Sequence, residues 1–411
     1  MKLRDAQRPR GPLAVSRRGL LKGAAALAAA RTAAPLLADD DEHSGAPILA
    51  YVGAYTPNGQ GIYLFSMNRS SGKLTQIKVA AAVPSPSWLA IHPNGKNLYA
   101  VNEISNSNGT TTGSVSAFSI NRTNGDLMLL NVVSSQGAGP AFLSVDPLGQ
   151  FVFVANYGGG SFAVLPILTN GFLGNATDVH VDVGSVGPTK ATNAPLGSFA
   201  ISGHDAPHAH MIQADAAGKF VFGADLGQDR IHSWLLNRNA GTLVPNTPAF
   251  VSLPGGDGPR HFAFHPNGRW FYSLQEEAST LEFFDYNGTN GTLTEQQLLS
   301  TLPPGFVGTN FTSEVRVSAD GEFVYAANRL HDTIGIFRVE NTGKLTRVGE
   351  VSTLGDYPRS FTIDPTGKFL FSCNQRSDAL TAFEIDGDGS KATFTGSYTP
   401  VGNPAIIIFL T

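Results

Sequence analysis

The pattern of apolar and polar positions repeats a two-strand unit along most of the chain. Each copy has a short apolar strand, a tight turn that usually ends in Gly, and a second apolar strand that ends in a polar residue. Gly and Asn at such turns supply the positive φ angles that hairpin connections need. The copies are 46 to 67 residues apart. They begin at Ser87, Ala141, His208, Arg260, Ser313 and Arg359.

Further strand patterns lie between these hairpins, for example SVSAFSINR and TLEFFDYN. Four strands per unit at this spacing are typical of a β-propeller. Residues 48–80 supply three strands of a seventh unit, and NPAIIIFL at the C-terminus supplies the fourth. The sequence therefore predicts an all-β, seven-bladed propeller over residues 48–411. The last blade would be closed by N- and C-terminal strands, and residues 166–206, rich in Gly, Thr, Pro and Ser, would form an extended loop.

The N-terminal segment has the features of an export signal. Residues 16–22, SRRGLLK, precede an apolar run that is too short to span a membrane, and small residues continue to Ala38. Paired arginines in this context predict a twin-arginine-type signal peptide over residues 1–38, with residues 39–47 as a linker. A disordered basic tail is the alternative. We expect the mature chain to be periplasmic or secreted.

Removal of residues 1–38 makes the chain strongly acidic. The segment holds eight basic residues and one acidic residue, so 20 basic and 31 acidic residues remain, a formal net charge of −11. An acidic chain without basic runs is a poor partner for nucleic acid or anionic lipid. No later segment is long and apolar enough to span a membrane, and we expect a monomer. The single cysteine, Cys373, excludes an intrachain disulfide, and its strand position predicts a buried thiol.

Comparison of the copies separates scaffold from candidate chemistry. In a propeller, the start of the first strand and the end of the second strand share one face. Most copies start the first strand with a small residue, but three copies have His208, Arg260 or Arg359 there. The second strand usually ends in Asn or Asp, for example Asp225, which predicts a structural turn-forming role.

The residue after that Asn or Asp varies, and several copies carry a charge. One rim is therefore predicted to gather charged side chains, which are His208, Arg260, Glu276, Arg329, Arg359 and Glu103. His210 shares the side of His208 and is a lesser candidate, whereas strand alternation predicts that His261 points between blades. A solvated ring of ion pairs is the alternative, but charges that converge in a concave site favour a binding pocket.

Several short motifs of the mature chain carry a resemblance to a known family. They are GAYT (Gly53–Thr56), GIYLF (Gly61–Phe65), PHAH (Pro207–His210), GPRHFAFHPNG (Gly258–Gly268), ANRLHDTI (Ala327–Ile334) and YPRSFTIDPTGKFL (Tyr357–Leu370). With these motifs the chain resembles the seven-bladed propeller lactonases, which include a bacterial 6-phosphogluconolactonase and the fungal carboxy-cis,cis-muconate cyclase. The resemblance implies a hydrolase that opens a lactone ring. It implies catalytic roles for His208, Arg260, Glu276 and Arg329, and we expect substrate contacts from Arg359, Glu103 and His210.

These residue types suit lactone hydrolysis. Arg260 and Arg329 can bind a carboxylate and stabilise an oxyanion. Glu276 can activate water and His208 can protonate the ring oxygen, or the two can exchange roles. The sequence has no serine-hydrolase elbow, zinc-type spacing or phosphate loop, so we expect neither a metal nor a cofactor.

Alternatives remain within this reading. One is a muconate-type cyclase that forms the lactone, and another is a non-catalytic propeller that binds a ligand or partner at the same mouth. Export from the cytosol also favours an unphosphorylated sugar lactone, or another lactone, over a phosphorylated sugar intermediate.

Overall fold

The computed structural model describes residues 45–200 and 203–411. The predicted signal peptide, residues 1–38, and most of the predicted linker lie outside the described residues. Within the described part, no helix combines the length and apolarity that crossing a bilayer requires.

The described residues form seven four-stranded antiparallel sheets around a ring, which confirms the predicted seven-bladed propeller. The strands in chain order are β1 (Ile48–Ala54), β2 (Ile62–Met67), β3 (Leu74–Ala81), β4 (Trp88–Ile91), β5 (Asn97–Asn102), β6 (Ser114–Ile120), β7 (Leu127–Ser134), β8 (Pro140–Val145), β9 (Phe151–Asn156), β10 (Ser161–Pro166), β11 (Asp178–Val181), β12 (Ser198–Phe199), β13 (Ala209–Ala214), β14 (Phe220–Asp225), β15 (Arg230–Asn237), β16 (Thr242–Ser252), β17 (Pro259–Phe264), β18 (Trp270–Gln275), β19 (Thr280–Asn287), β20 (Thr292–Ser300), β21 (Gly308–Thr309), β22 (Thr312–Val317), β23 (Phe323–Asn328), β24 (Thr333–Val339), β25 (Leu345–Ser352), β26 (Pro358–Ile363), β27 (Phe369–Asn374), β28 (Ala379–Ile385), β29 (Ala392–Pro400) and β30 (Pro404–Leu410). Two short 3₁₀ turns occur at Ser107–Gly109 and Gln375–Ser377.

Each blade is one sheet. Blades 1 to 6 are β4–β7, β8–β11, β13–β16, β17–β20, β22–β25 and β26–β29, and blade 7 is β30 with β1–β3. In blade 7, Leu49 pairs with Leu410 and Val52 pairs with Ile407. The two ends of the described chain therefore meet in one sheet, as predicted, and the ring has no free edge at the closure.

Burial explains the sequence pattern of the blades. The second strand of a blade packs against neighbouring blades on both faces, so β9 and β27 are buried along their whole length. Outer strands such as β25 alternate between buried or half-buried and exposed residues. Cys373 lies in β27 and is a buried free thiol, as predicted.

A β-bulge near the start of the first strand recurs in several blades. In blade 4, Pro259 pairs with Gln275 and His261 pairs with Leu274, so Arg260 is an extra residue without a direct partner. Bulges re-aim the extra side chain and increase the local twist. Corresponding bulges fall at Ala141, His210 and Arg359.

The stretch 166–206 differs from the predicted extended loop at its beginning, because Asp178–Val181 forms the outer strand of blade 2. We call residues 182–200 and 203–208 the crossing loop. Its short strand β12 pairs in parallel with β21, which lies between blades 4 and 5. Asn193 on this loop also donates to Asp257 at the entrance to blade 4. The crossing loop therefore runs from blade 2 past the entrance of blade 4.

Candidate active site

The centre of the site is a buried carboxylate held between two arginines. Glu276 Oε2 lies 2.8 Å from Arg260 Nε, and Glu276 Oε1 lies 2.6 Å from Arg329 Nη2. Arg260 is only 2% exposed and Glu276 8% exposed. The backbone fixes the carboxylate because the Glu276 N–H donates to Gly258 O at 2.7 Å. The structure thus brings together three of the four residues predicted to be catalytic.

Opposing effects set the charge of Glu276. Burial raises the pKa of its carboxyl, but the adjacent Arg329 and Arg260 outweigh burial and hold the pKa below its ordinary value. Burial, followed by the charges of Arg329 and Arg359, lowers the pKa of Arg260 to about 9. At neutral pH the site therefore holds an ionised carboxylate among charged guanidinium groups.

The bulge at Arg260 also decides the direction of His261. Arg260 Nη1 donates to the backbone oxygen of Ser313 and lies 3.3 Å from His261 Nε2. The His261 ring packs edge-on against Trp88 and Phe142, which belong to blades 1 and 2 across the channel. The prediction that His261 points between blades was wrong, since the extra residue shifts the alternation and turns this ring into the channel.

His208 lies on the crossing loop just before blade 3. Its Nδ1 is 2.9 Å from the backbone oxygen of Tyr157 and its Nε2 is 2.9 Å from Asp205 Oδ1. A carbonyl oxygen only accepts, so Nδ1 carries the hydrogen. The imidazole stacks on the Tyr157 ring with centroids 4.2 Å apart. The Asp205 side chain is 84% exposed, so Nε2 has a partner that solvent can replace.

His210, rather than His208, occupies the bulge position that Arg260 and Arg359 occupy in their blades. Burial, and then the positive charge of Arg260, hold the pKa of His210 well below its usual range, so the ring is neutral. Its edge faces the Tyr157 ring at 5.5 Å. His208 and His210 therefore flank one tyrosine from different positions.

Arg359 and Glu103 form a second group beside the first. Arg359 Nη2 lies 3.5 Å from Glu103 Oε2, and the Tyr55 hydroxyl donates to the same oxygen at 2.6 Å. These three side chains line a cavity of about 520 Å³ together with Tyr357 and Arg376.

Tyr357 connects the cavity to the central carboxylate. Its hydroxyl accepts a hydrogen bond from Arg329 Nη1 at 3.1 Å, and its ring lies under both Arg329 and Arg376. Arg329 thus contacts Glu276 on one side and a cavity-lining residue on the other. The site is a continuous mouth with a central ion cluster and a polar cavity next to it.

Comparison with known proteins shows to which family this chain belongs. The family model described as "Lactonase, 7-bladed beta-propeller" matches residues 49–409. The chain belongs to this family. A 6-phosphogluconolactonase of Bacillus subtilis is 33% identical over 364 residues, which cover 88% of this chain and 98% of the relative. A 6-phosphogluconolactonase of Formosa agariphila is 31% identical over 348 residues, covering 83% and 93% of the two chains.

A solved structure, the periplasmic gluconolactonase of Pseudomonas aeruginosa, is similar with a TM-score of 0.79 and 29% identity. The alignment covers 89% of this chain and 99% of that one. The family membership confirms the resemblance that the sequence motifs indicated. It also confirms the prediction that the chain is an enzyme of the lactonase class.

Sequence reasoning missed the aromatic residues of this propeller lactonase's mouth. Tyr157 stands at the same repeat position as Glu276 and Arg329, directly after the second strand, and it contacts both histidines. Tyr357 precedes Arg359 by two residues in the YPRS motif. The position of Tyr157 in the repeat was a usable signal. The equivalence of His210 and Arg260 could also have been found in the sequence. His210 lies five residues before the turn residue Asp215, just as Arg260 lies five residues before the turn residue His265.

Proposed function

We propose that this chain hydrolyses an unphosphorylated sugar lactone at the mouth formed by Arg260, Glu276 and Arg329. The observation that carries the proposal is the buried Glu276 carboxylate between two guanidinium groups, in a chain of a lactonase family. The names of the relatives, 6-phosphogluconolactonase and gluconolactonase, support a sugar lactone as the substrate class.

In the proposed reaction, the lactone carbonyl oxygen lies against Arg260 and Arg329. Both guanidinium groups are buried and already fixed by protein contacts, so they stabilise a developing oxyanion with little reorganisation. A water oxygen attacks the carbonyl carbon while Glu276 takes a proton from it. The ring carbon–oxygen bond then breaks, and the ring oxygen takes a proton from the protonated imidazole of His208. The product is an open-chain hydroxy acid, which releases its carboxyl proton to solvent, and Glu276 returns its proton to His208 directly or through water.

The lowered pKa of Glu276 makes it a weak base while it contacts both arginines. A substrate oxygen that takes over part of one guanidinium raises the basicity of Glu276 at the moment when water must be activated. His208 offers the other arrangement, because the Tyr157 carbonyl fixes the hydrogen on Nδ1 and leaves Nε2 for proton transfer once Asp205 turns to solvent. The two residues can thus exchange the roles of acid and base.

The cavity beside the ion cluster favours hydroxyl groups over a phosphate. Its charged lining residues are two arginines, Arg359 and Arg376, and two acids, Glu103 and Asp378, which balance formally. A phosphate site would carry an excess of positive charge. Carboxylates and guanidinium groups together can bind several sugar hydroxyls, and the hydroxyls of Tyr55 and Tyr357 are further polar groups of this lining.

Export of the chain is part of the proposal. The paired arginines Arg17 and Arg18 before an apolar run support it, and the similar gluconolactonase of P. aeruginosa is periplasmic. We expect the full chain to reach the periplasm or medium, and the double variant Arg17→Lys, Arg18→Lys to stay in the cytosol. Equal export of both forms would contradict a twin-arginine route.

The function is tested by acid release from a panel of lactones, measured against the spontaneous rate. The panel pairs each sugar lactone with its phosphorylated form and adds a muconolactone. We expect turnover of unphosphorylated sugar lactones, its loss in Arg260→Ala, and normal turnover in Arg338→Ala, which changes an exposed arginine elsewhere. Specific binding without turnover of any lactone would instead indicate a binding module, and ring formation from an open-chain muconate would indicate a cyclase.

A further inference from the structure

In several blades, neutral hydrogen bonds fix the end of the second strand at equivalent positions, and we call this arrangement the neutral tie. The Asn that ends the second strand donates to a hydroxyl two residues into the third strand or to a backbone oxygen of the preceding blade. Asn374 Nδ2 donates to Thr381 Oγ1 at 3.0 Å and to Thr353 O at 3.2 Å. Asn156 Nδ2 donates to Ser135 O at 2.9 Å, and Asn102 Nδ2 to Ser116 Oγ at 2.8 Å.

Blade 3 replaces all three groups of this tie with ionisable side chains. Asp225 ends the second strand, where blade 6 has Asn374. His232 lies two residues into the third strand, the position of Thr381. Asp182 follows the fourth strand of blade 2, at the position that Thr353 has after the fourth strand of blade 5. The two positions make the same backbone hydrogen bond, since the Asp182 N–H donates to Gly160 O and the Thr353 N–H donates to Asp332 O. Because Asn and Thr serve the fold elsewhere, the fold alone does not require this trio.

The three side chains converge, and His232 Nε2 lies 3.6 Å from Asp182 Oδ1. One ligand atom from each lies within 4.8 Å of the others. Asp225 is fully buried. Asp225 Oδ2, Asp182 Oδ2 and His232 Nε2 are buried and have no hydrogen-bond partner among the described residues. Buried carboxylate oxygens that converge without a hydrogen-bond partner are costly unless a positive charge or a proton compensates them.

The other contacts of the trio leave this convergence intact. Asp225 Oδ1 already accepts the backbone N–H groups of His208 and Gln228 at 3.0 and 2.9 Å. The Asp225 carboxylate is therefore fixed in orientation, with Oδ2 left free.

We propose that Asp182, Asp225 and His232 bind one divalent transition-metal ion of the Zn²⁺ or Mn²⁺ type. An imidazole nitrogen with two carboxylates suits these ions better than Ca²⁺ or Mg²⁺, which prefer oxygen ligands. Zinc lies about 2.0–2.2 Å from such atoms, so two ligands of a tetrahedral ion are about 3.5 Å apart, and ligand atoms up to 4.8 Å apart would have to approach one another by at most about 1.3 Å. Three protein ligands leave coordination positions for water.

The site has a positioning role, because the same Asp225 that binds the ion also holds the backbone of His208. A bound ion therefore stiffens the junction of blades 2 and 3 and the turn that carries His208. This inference does not depend on the proposed lactonase reaction, and its test uses metal binding itself.

The experiment uses the full chain without an affinity tag, first treated with a chelator. We expect Zn²⁺ or Mn²⁺ to bind with one ion per chain in calorimetry, to remain after gel filtration in elemental analysis, and to raise the melting temperature. The variant Asp225→Asn restores the residue of the sister blades and is expected to fold. Even lost outer-shell partners weaken metal sites roughly 10–100-fold, so loss of this ligand should weaken binding at least about 100-fold.

Two further variants sharpen the test. The triple variant Asp182→Thr, Asp225→Asn, His232→Thr installs the neutral tie and is expected to melt independently of metal. His331→Gln changes a different histidine–carboxylate contact, with Glu350, and is expected to bind metal like the wild type. Unchanged affinity in Asp225→Asn would overturn the proposal. The absence of stoichiometric binding would also overturn it, and a protonated-carboxyl infrared band that Asp182→Asn removes would then show that the trio shares a proton.

Discussion

The substitution Glu276→Gln tests the core of the site, because it removes the charge and keeps the shape of the side chain. In the wild-type protein each carboxylate oxygen faces one buried guanidinium, at 2.8 Å for Arg260 and 2.6 Å for Arg329. An amide presents one oxygen and one NH₂ group, so one of the two arginines loses its partner. A buried charge left without its partner destabilises a protein by about 3–5 kcal/mol.

The expected effects on catalysis and binding have opposite signs. Loss of a general base typically lowers kcat about 10²–10⁴-fold. The freed guanidinium groups should bind the carboxylate product more tightly, so product inhibition should strengthen while turnover falls. The assay is acid release at constant pH with added product, together with thermal unfolding to show that the variant is folded at the assay temperature.

Glu282→Gln is the matched control in the same blade. Burial, followed by the charge of Glu295, raises the pKa of Glu282 to about 8, so its carboxyl is largely neutral at pH 7 and an amide replaces it without a change of charge. We expect this control to keep nearly wild-type activity. If Glu276→Gln kept wild-type turnover and wild-type product affinity, the assignment of Glu276 as a base held between two arginines would be wrong.

Three further predictions follow from the same contacts. Because the pKa of Glu276 is held below its ordinary value, kcat/KM should not decline as the pH falls from about 8 to about 5, and it should decline only below the usual glutamate range. A loss of kcat/KM toward acid pH that is centred at about pH 6.5 would assign the base role to a histidine such as His208 instead. Tyr357→Phe removes the hydroxyl that accepts a hydrogen bond from Arg329 at 3.1 Å. It should lower kcat/KM about 5–10-fold, the equivalent of about 1–1.5 kcal/mol, with little change in melting temperature. An unchanged kcat/KM would show that Tyr357 does not take part in substrate binding. Burial lowers the pKa of His204, but its contacts with Asp229 and Glu277 outweigh burial and raise the pKa to about 10. The charged His204 therefore stabilises the fold fully below about pH 6.5, and this stabilisation is lost as the pH rises toward 10. His204→Gln should melt at a lower temperature than the wild type near pH 6, and its melting temperature should change less between pH 6 and pH 10; parallel melting profiles would contradict this.

The propeller was predictable because its signals are local and repeated. Alternation of apolar residues, turn glycines such as Gly268 with φ of 68°, and regular spacing each act within a few residues. The closure by two distant strands followed from counting, because one unit lacked a strand and the C-terminus supplied one. The charged rim followed because the hairpin form places Arg260 and Glu276 at the same end of one blade.

The parts that the sequence did not predict depend on register and on neighbouring blades. A bulge adds one residue without changing the apolar pattern, so the sequence did not show that His210 corresponds to Arg260 or that His261 turns into the channel. The Asp182–Asp225–His232 cluster joins residues of two blades that have no metal-binding spacing in the chain. The path of the crossing loop likewise depends on its pairing with β21, which is about a hundred residues away in the chain.

The most direct test of the account is the ratio of kcat/KM between the wild-type chain and Arg260→Ala on one unphosphorylated sugar lactone, corrected for spontaneous ring opening. Arg260 is buried, contacts Glu276 and is placed at the mouth by the bulge, so its removal should take away one of the two guanidinium groups that stabilise the oxyanion. Loss of one such donor typically lowers the rate about 10²–10³-fold. A folded Arg260→Ala protein with wild-type kcat/KM would contradict the claim that lactone hydrolysis takes place at this mouth.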